Sequence, residues 1–122
     1  MHEFLQAYLT CALWASIDER EEHEGEPLEK LHSIKDIAPE AVLQATEDCK
    51  KFREENAEEL KGYPDAQAGH DLFLTRCGHG CGFWDRCQKF TTEDNELLLT
   101  RSAEAMGEVW FYVGDDGKIY SM

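Results

Sequence analysis

The chain has 122 residues, 42% of them hydrophobic, which fits one globular domain and excludes two large ones. Its 26 acidic residues outnumber 12 basic ones, and the resulting net charge of −14 opposes direct binding to nucleic acid or to anionic membrane surfaces. We therefore expect a single domain over residues 1–122 whose partners are neither nucleic acids nor membranes.

The first predicted element is a helix over residues 3–18 that is apolar on nearly all sides, so we expect it at the centre of the core. Its apolar run spans about 14 residues, fewer than the roughly 20 that cross a bilayer. The first residues also lack the positive charge that opens a signal peptide. We therefore expect a cytoplasmic protein whose five cysteines are reduced thiols.

The second predicted helix carries most of the candidate binding carboxylates. Before it, seven acidic residues and two helix breakers predict an exposed loop from Asp18 to Glu29. Pro39 and its acidic neighbours indicate where the helix begins, and Gly62 indicates where it ends. The residues predicted to face the core are Ala38, Val42, Ala45, Cys49 and Phe52. The acidic residues predicted to face water are Glu47, Asp48, Glu54, Glu55, Glu58 and Glu59.

Two more helices and a hairpin are predicted in the second half of the chain. Asp65 is expected to cap a helix that runs to about Thr75, and Thr92 precedes another that ends before Gly107. Alternating apolar and aromatic residues over 109–113, followed by a turn of Gly and Asp, predict a β-hairpin. The fold class is therefore α+β, with about four helices and a C-terminal antiparallel β-hairpin.

The glycine-rich segment between the third and fourth helices contains candidate metal ligands. Cys77, His79, Cys81 and Cys87 lie within eleven residues, and thiolate and imidazole groups are the ligands that zinc prefers. However, the spacing is not that of paired Cys-x2-Cys knuckles, and no second ligand pair follows. We therefore expect no cofactor, and a small zinc-binding or hydrolytic domain stays as the alternative.

Candidate catalytic side chains occur in the same region. Those that could supply an acid, a base and an anion clamp are His70, Asp71, Arg76, His79, Asp85 and Arg86. Each of them also has an ordinary structural explanation, such as a cap or an interface residue. The glycines are not followed by the Gly-Lys-Ser/Thr of a P-loop, and no other catalytic motif is present. We therefore predict a non-enzymatic protein without catalytic residues.

The negative charge is distributed over both halves of the chain. Carboxylates spaced along the loop from Asp18 to Glu29 and along the helix from Glu47 to Glu59 could enter a basic groove built for a phosphate backbone, so that the protein would act as a DNA mimic. The competing explanation is that such charge serves only solubility.

Residues 68–86 combine glycine, aromatic and charged residues in a distinctive order. The relevant stretches are Ala68-Gly69-His70-Asp71-Leu72-Phe73-Leu74-Thr75-Arg76, Gly78-His79-Gly80, Gly82-Phe83-Trp84-Asp85-Arg86 and the ending from Val113 to Tyr120. With these motifs the chain resembles small acidic proteins encoded by many bacteriophages, although that family commonly has Asn and Ala at the positions of Cys77 and Cys81. The resemblance implies a protein that acts in the host cytoplasm by blocking host machinery, including CRISPR or restriction nucleases.

Taken together, these patterns predict an acidic phage-type protein that binds a host or phage protein with a basic surface. It would inhibit a nucleic-acid-binding defence complex, of the CRISPR or restriction type, by occupying its basic cleft. Aromatic and arginine side chains dominate interface energetics, so anchors are expected beside the acidic helix. The predicted anchors are Arg76, His79, Phe83, Trp84 and Arg86. A third hypothesis is an assembly component whose dimer buries the first helix and the Trp110 and Tyr112 face of the hairpin.

Overall fold

The computed structural model describes residues 1–18, 26–78, 82–83 and 89–122, with residues 17 and 18 described by their backbone alone. The α-helices in these ranges are α1 (Glu3–Ala15), α2 (Pro39–Glu55), α3 (Asp65–Arg76) and α4 (Glu93–Ala105). The strands are β1 (Ile17–Asp18), β2 (Glu26–Pro27), β3 (Phe111–Val113) and β4 (Ile119–Ser121). They form two antiparallel pairs, β1 with β2 and β3 with β4. The predicted α+β class, with four helices and a C-terminal hairpin, is confirmed.

The segment after α1 differs from its prediction. The helix ends at Ala15 rather than at residue 18, and β1 then pairs with β2. Leu28 follows in a short 3-10 turn, where its side chain is fully buried and its amide donates to Ser16 O at 2.9 Å. An apolar side chain among acidic neighbours therefore fixes the end of the predicted exposed loop to the core. Residues 19–25 lie outside the described residues.

Helix α1 packs directly on α3, which confirms its predicted central position. Tyr8 of α1 meets Phe73 of α3 edge to face, with the ring centroids 5.4 Å apart. The two backbones approach closely at Gly69, where an added Cβ atom would lie 2.1 Å from the carbonyl oxygen of Phe4. No side chain larger than hydrogen fits there without moving one helix away from the other.

The Gly69→Ala substitution should lower the free energy of unfolding by about 3 kcal/mol, because the new methyl group meets backbone rather than a flexible side chain. The helix propensity of alanine acts in the opposite direction and would by itself stabilise α3 by about 1 kcal/mol. Urea denaturation of the two proteins measures the difference. A gain in stability would show that propensity dominates and that the helices separate at little cost.

Helix α2 begins at Pro39 as predicted. Of the residues predicted to face the core, four are buried and one is half-buried. The buried ones are Ala38, Ala45, Cys49 and Phe52, and the half-buried one is Val42. It ends at Glu55, earlier than expected.

Asn56 lies at the end of α2 and joins it to α4. Its side-chain amide donates to Phe52 O, which also accepts from Asn56 N, and to Ser102 Oγ, and both side-chain bonds measure 2.9 Å. Residues 56–62 form turns, so Glu58 and Glu59 lie beyond the helix.

The starts of α3 and α4 are set differently. Asp65 is not the cap of α3: Pro64 occupies the N-cap position, and Asp65 lies in the first turn, where its charge suits the helix dipole. Thr92 does cap α4, since its hydroxyl accepts from Asn95 N at 3.1 Å.

Within the described ranges, every helix is too short or too polar to span a bilayer.

The hairpin is joined to the helices through the residues that precede α2. Ile37 forms a parallel bridge with Ile119 of β4, and Ala38 N donates to Ile119 O at 2.7 Å. On the inner face of β3, Phe111 packs against Phe73 of α3 with the ring centroids 5.9 Å apart. The strand pair is therefore fixed to both α2 and α3.

Candidate partner-binding surface

Exposed carboxylates and lysines share one surface on α2 and the turn that follows it. We define the acidic surface by its carboxylates, which are Glu47, Glu54, Glu55, Glu58 and Glu59. All are exposed except Glu59, which is half-buried. Lys50 Nζ lies 4.0 Å from Glu54 Oε1, and Lys61 Nζ lies 3.0 Å from Glu58 Oε2. Exposed pairs of this kind contribute little stability. With Lys51 also present, the five carboxylates outnumber three lysines, and the surface keeps a net negative charge.

Asp48 does not belong to this surface, because it pairs with Arg76. Arg76 Nη1 lies 3.0 Å from Asp48 Oδ2 and donates to the Tyr8 hydroxyl at 2.9 Å. Arg76 Nε donates to Gly107 O at 2.8 Å. The Arg76 side chain is only 6% exposed and connects α1, α2, α3 and the end of α4. The predicted binding roles of Asp48 and Arg76 are therefore corrected: both side chains are used inside the fold.

Phe83 is also part of the core rather than an anchor. It is fully buried, stacked on Phe52 and packed edge to face against Tyr63, with both centroid distances 5.5 Å. Its amide donates to Thr75 Oγ1 at 3.2 Å. The predicted partner contact of Phe83 is therefore wrong, because removing this ring from the core would expose apolar surface to water. The other predicted anchors, His79, Trp84 and Arg86, lie outside the described residues.

The described cysteines are free thiols with little thiolate character. Burial raises the pKa of Cys11 and of Cys49 to about 12, and it also raises the pKa of Cys77. Cys77 Sγ donates to Val109 O at 3.4 Å. Among the described residues, no group of three or more His, Cys, Asp and Glu side chains could hold a metal ion. The remaining members of the alternative zinc set, His79, Cys81 and Cys87, are not among the described residues.

Besides Arg76, the structure describes His70 and Asp71 from the candidate catalytic set. Asp71 is fully buried and accepts from the Tyr63 hydroxyl and from Gln67 Nε2, the latter at 2.9 Å. His70 Nδ1 lies 3.5 Å from Asp71 Oδ1. Two donors already hold the Asp71 carboxylate, so the geometry indicates a structural carboxylate that orients its neighbours. The Asp85 position lies outside the described residues.

The hairpin presents an apolar face that our anchor prediction did not use. We call Trp110, Tyr112, Tyr120 and Met122 the hairpin platform. Trp110 is 56% exposed and Met122 76%, and the backbones of these two residues exchange hydrogen bonds of 3.1 and 2.9 Å. The Tyr112 and Tyr120 rings stack with centroids 6.0 Å apart. Side chains alternate along a strand, so the burial of Phe111 turns its neighbours outward. The alternating sequence pattern already contained this signal.

Carboxylates border the hairpin platform. Asp116 accepts a hydrogen bond of 2.5 Å from the Tyr120 hydroxyl and one of 3.0 Å from Lys118 N. The bond to Asp116 raises the pKa of Tyr120 to about 12, and the charge of Glu40 on α2 adds to this rise. The same bond lowers the pKa of Asp116, which keeps its carboxylate charged. Glu40 lies in the first turn of α2, just after the residues that bridge to Ile119 of β4.

The structure thus separates the predicted site residues into distinct groups. Glu47, Glu54, Glu55 and Glu58 lie together on the solvent side, whereas Asp48, Arg76 and Phe83 act within the fold. Comparison of the chain with protein families, characterised proteins and solved structures finds no match. The functional argument therefore rests on the acidic surface and the hairpin platform.

Proposed function

We propose that this chain is a non-enzymatic protein that binds a basic surface of a protein partner. The partner we propose is a nucleic-acid-binding complex of host defence, whose cleft for the phosphate backbone the chain would occupy. The observation that carries the proposal is the net charge of −14, together with exposed carboxylates that outnumber the lysines among them. Such a surface attracts a cationic cleft and speeds association with it. The assignment to host defence comes from the resemblance to phage proteins.

The hairpin platform supports this proposal by supplying anchors. Trp110 and Tyr112 are exposed aromatic side chains of the kind that contribute most to interface energy. The bordering carboxylates of Glu40, Asp115 and Asp116 favour a basic partner over a second copy of the chain. Two copies would bring like charges together around the same contact, which costs association free energy.

Neutralising the acidic surface should weaken binding without unfolding the protein. In the Glu47→Gln, Glu54→Gln, Glu55→Gln and Glu58→Gln variant, we expect the concentration needed to displace DNA from the partner to rise about tenfold or more. The side chains are exposed, so the free energy of unfolding should change by less than about 1 kcal/mol. The measurement is DNA displacement from purified CRISPR and restriction nucleases.

The matched control removes four charges elsewhere, by the substitutions Asp65→Asn, Asp94→Asn, Glu104→Gln and Glu108→Gln. These residues are exposed on α3, on α4 and after it, so displacement should stay close to that of the unmodified chain. Direct binding of the unmodified chain to the partner, measured without DNA, should also weaken between about 50 and 500 mM salt. Equal losses of DNA displacement in the two variants would contradict a contact that depends on the acidic surface. Partner binding that does not change with salt concentration would contradict it as well. If the unmodified chain displaces DNA from no nuclease, the host-defence assignment is wrong.

A further inference from the structure

A groove of about 750 Å³ lies between α1, the start of α3 and the 3-10 turn after β2. Its lining differs from both surfaces described above. The side chains that matter here are Glu3, Trp14, Glu29, Gln67 and His70. They bring an aromatic wall, two carboxylates and an amide into one concave site, and concavity is the usual property of a binding site.

The aromatic wall consists of Trp14 and His70. Trp14 is 53% exposed although it belongs to the central helix α1, and the His70 ring lies 6.4 Å from it with the planes inclined by 33°. An exposed indole beside an open groove gives a cation a ring face to contact. Tryptophan provides the strongest such contact among the aromatic side chains.

The charged groups of the groove are both negative. Glu3 and Glu29 supply carboxylates, and no lysine or arginine is among the described lining residues. Within the part of the chain that the structure describes, no ion pair involves either glutamate, and Lys30, which follows Glu29, pairs with Glu26 at 3.1 Å. The groove therefore offers two carboxylates to a cation that comes from outside.

Gln67 adds an oriented acceptor. Its amide nitrogen donates to Asp71 Oδ1 at 2.9 Å, and Asp71 is itself fixed by the Tyr63 hydroxyl. With the amide nitrogen engaged in this way, the carbonyl oxygen of Gln67 remains an acceptor for a donor in the groove. The buried Asp71 thus acts as a positioning residue for the groove.

We propose that this groove receives an arginine side chain of the basic protein partner. This inference rests on the proposed function and names the residue type that the partner would insert. A guanidinium group is planar, so it can stack on Trp14 and turn its N–H donors into the groove, where the charges of Glu3 and Glu29 attract it. An ammonium group has no planar surface with which to stack. Anionic ligands are opposed by Glu3 and Glu29.

The test uses a blocked tripeptide, acetyl-Ala-Arg-Ala-amide, titrated into the full chain while the indole N–H signal of Trp14 is followed by NMR. The matched probe replaces arginine by citrulline, which has nearly the same shape and no charge. We expect the arginine peptide to shift the Trp14 signal and to bind at least about tenfold more tightly than the citrulline peptide.

Variants locate the contact within the groove. The Trp14→Ala variant and the double variant Glu3→Gln, Glu29→Gln should each bind the arginine peptide about fivefold more weakly, or weaker still. For Trp14→Ala the readout is the amide signals of α1 and α3. The control variants are Leu98→Ala on α4 and the Glu104→Gln, Glu108→Gln pair, and both should bind the peptide unchanged. Circular dichroism of each variant shows whether the helices are intact.

Several outcomes would overturn the inference. Equal binding of the citrulline peptide would show that charge plays no part, and equal losses in the control variants would place the contact elsewhere. Tighter binding of spermidine than of the arginine peptide would assign the groove to a free polyamine. Failure of these titrations would leave the nuclease assay of the acidic surface unaffected, so the two proposals fail separately.

Discussion

The Phe83→Ala substitution is expected to lower the free energy of unfolding by about 3–5 kcal/mol. The ring fills the space between Phe52 and Tyr63, and its loss leaves a cavity that these large neighbours cannot close. It also removes the side-chain contact by which Phe83 itself packs in the core. Thermal and urea denaturation, monitored by circular dichroism, measure the change.

Trp110→Ala is the matched control for this experiment, because it also removes an aromatic ring but at a site that is 56% exposed. Its effect on stability should stay below about 1 kcal/mol. Its effect on partner binding should be the larger one, as expected for an anchor. If Phe83→Ala left stability unchanged and abolished binding, Phe83 would be an anchor after all, and its packing in the core would be wrong.

The Arg76→Met substitution is expected to lower the free energy of unfolding by about 3 kcal/mol. Methionine keeps much of the length of the arginine side chain but none of its donors. Three groups would then lose their shared partner in a partly buried site, namely the Asp48 carboxylate, the Tyr8 hydroxyl and the carbonyl of Gly107. Leaving such groups without a partner costs more than the ion pair itself contributes. Urea denaturation gives the size of the loss.

Two variants separate this role from a general effect of removing charge. Arg53→Met deletes another arginine, whose guanidinium lies 5.7 Å from the Phe4 ring centroid and contacts His2, and should cost about 1 kcal/mol or less. The double variant Arg76→Met, Asp48→Leu should recover part of the lost stability, because the orphaned carboxylate is gone. No recovery, together with equal effects of Arg76→Met and Arg53→Met, would contradict a central structural role for Arg76.

Local signals in the sequence were sufficient for much of the fold. Pro39 and Thr92 mark helix starts because their backbone and side-chain chemistry acts within a few residues. The alternation over 109–113 likewise identified the hairpin and its outward aromatic side chains. The pair β1 and β2 was missed because two-residue strands are too short to show any alternation.

The candidate site was less predictable because its key contacts join distant parts of the chain. Arg76 reaches Tyr8, 68 residues earlier, and no local pattern tells whether an arginine near a glycine-rich segment faces solvent or a buried partner. Phe83 was interpreted in the same way from its glycine neighbours, yet Phe52 and Tyr63 enclose it. The charge of the acidic surface, in contrast, followed from composition alone.

The bridge between Ile37 and Ile119 has a consequence for recognition. By holding β4 against the residues that precede α2, it joins the start of the helix that carries the acidic surface to the strand pair of the hairpin platform. In the binding role that we propose, the spacing of these two regions would be set before any encounter. Such preorganisation would retain more of the interaction energy as affinity and would favour clefts whose basic and apolar patches match that spacing.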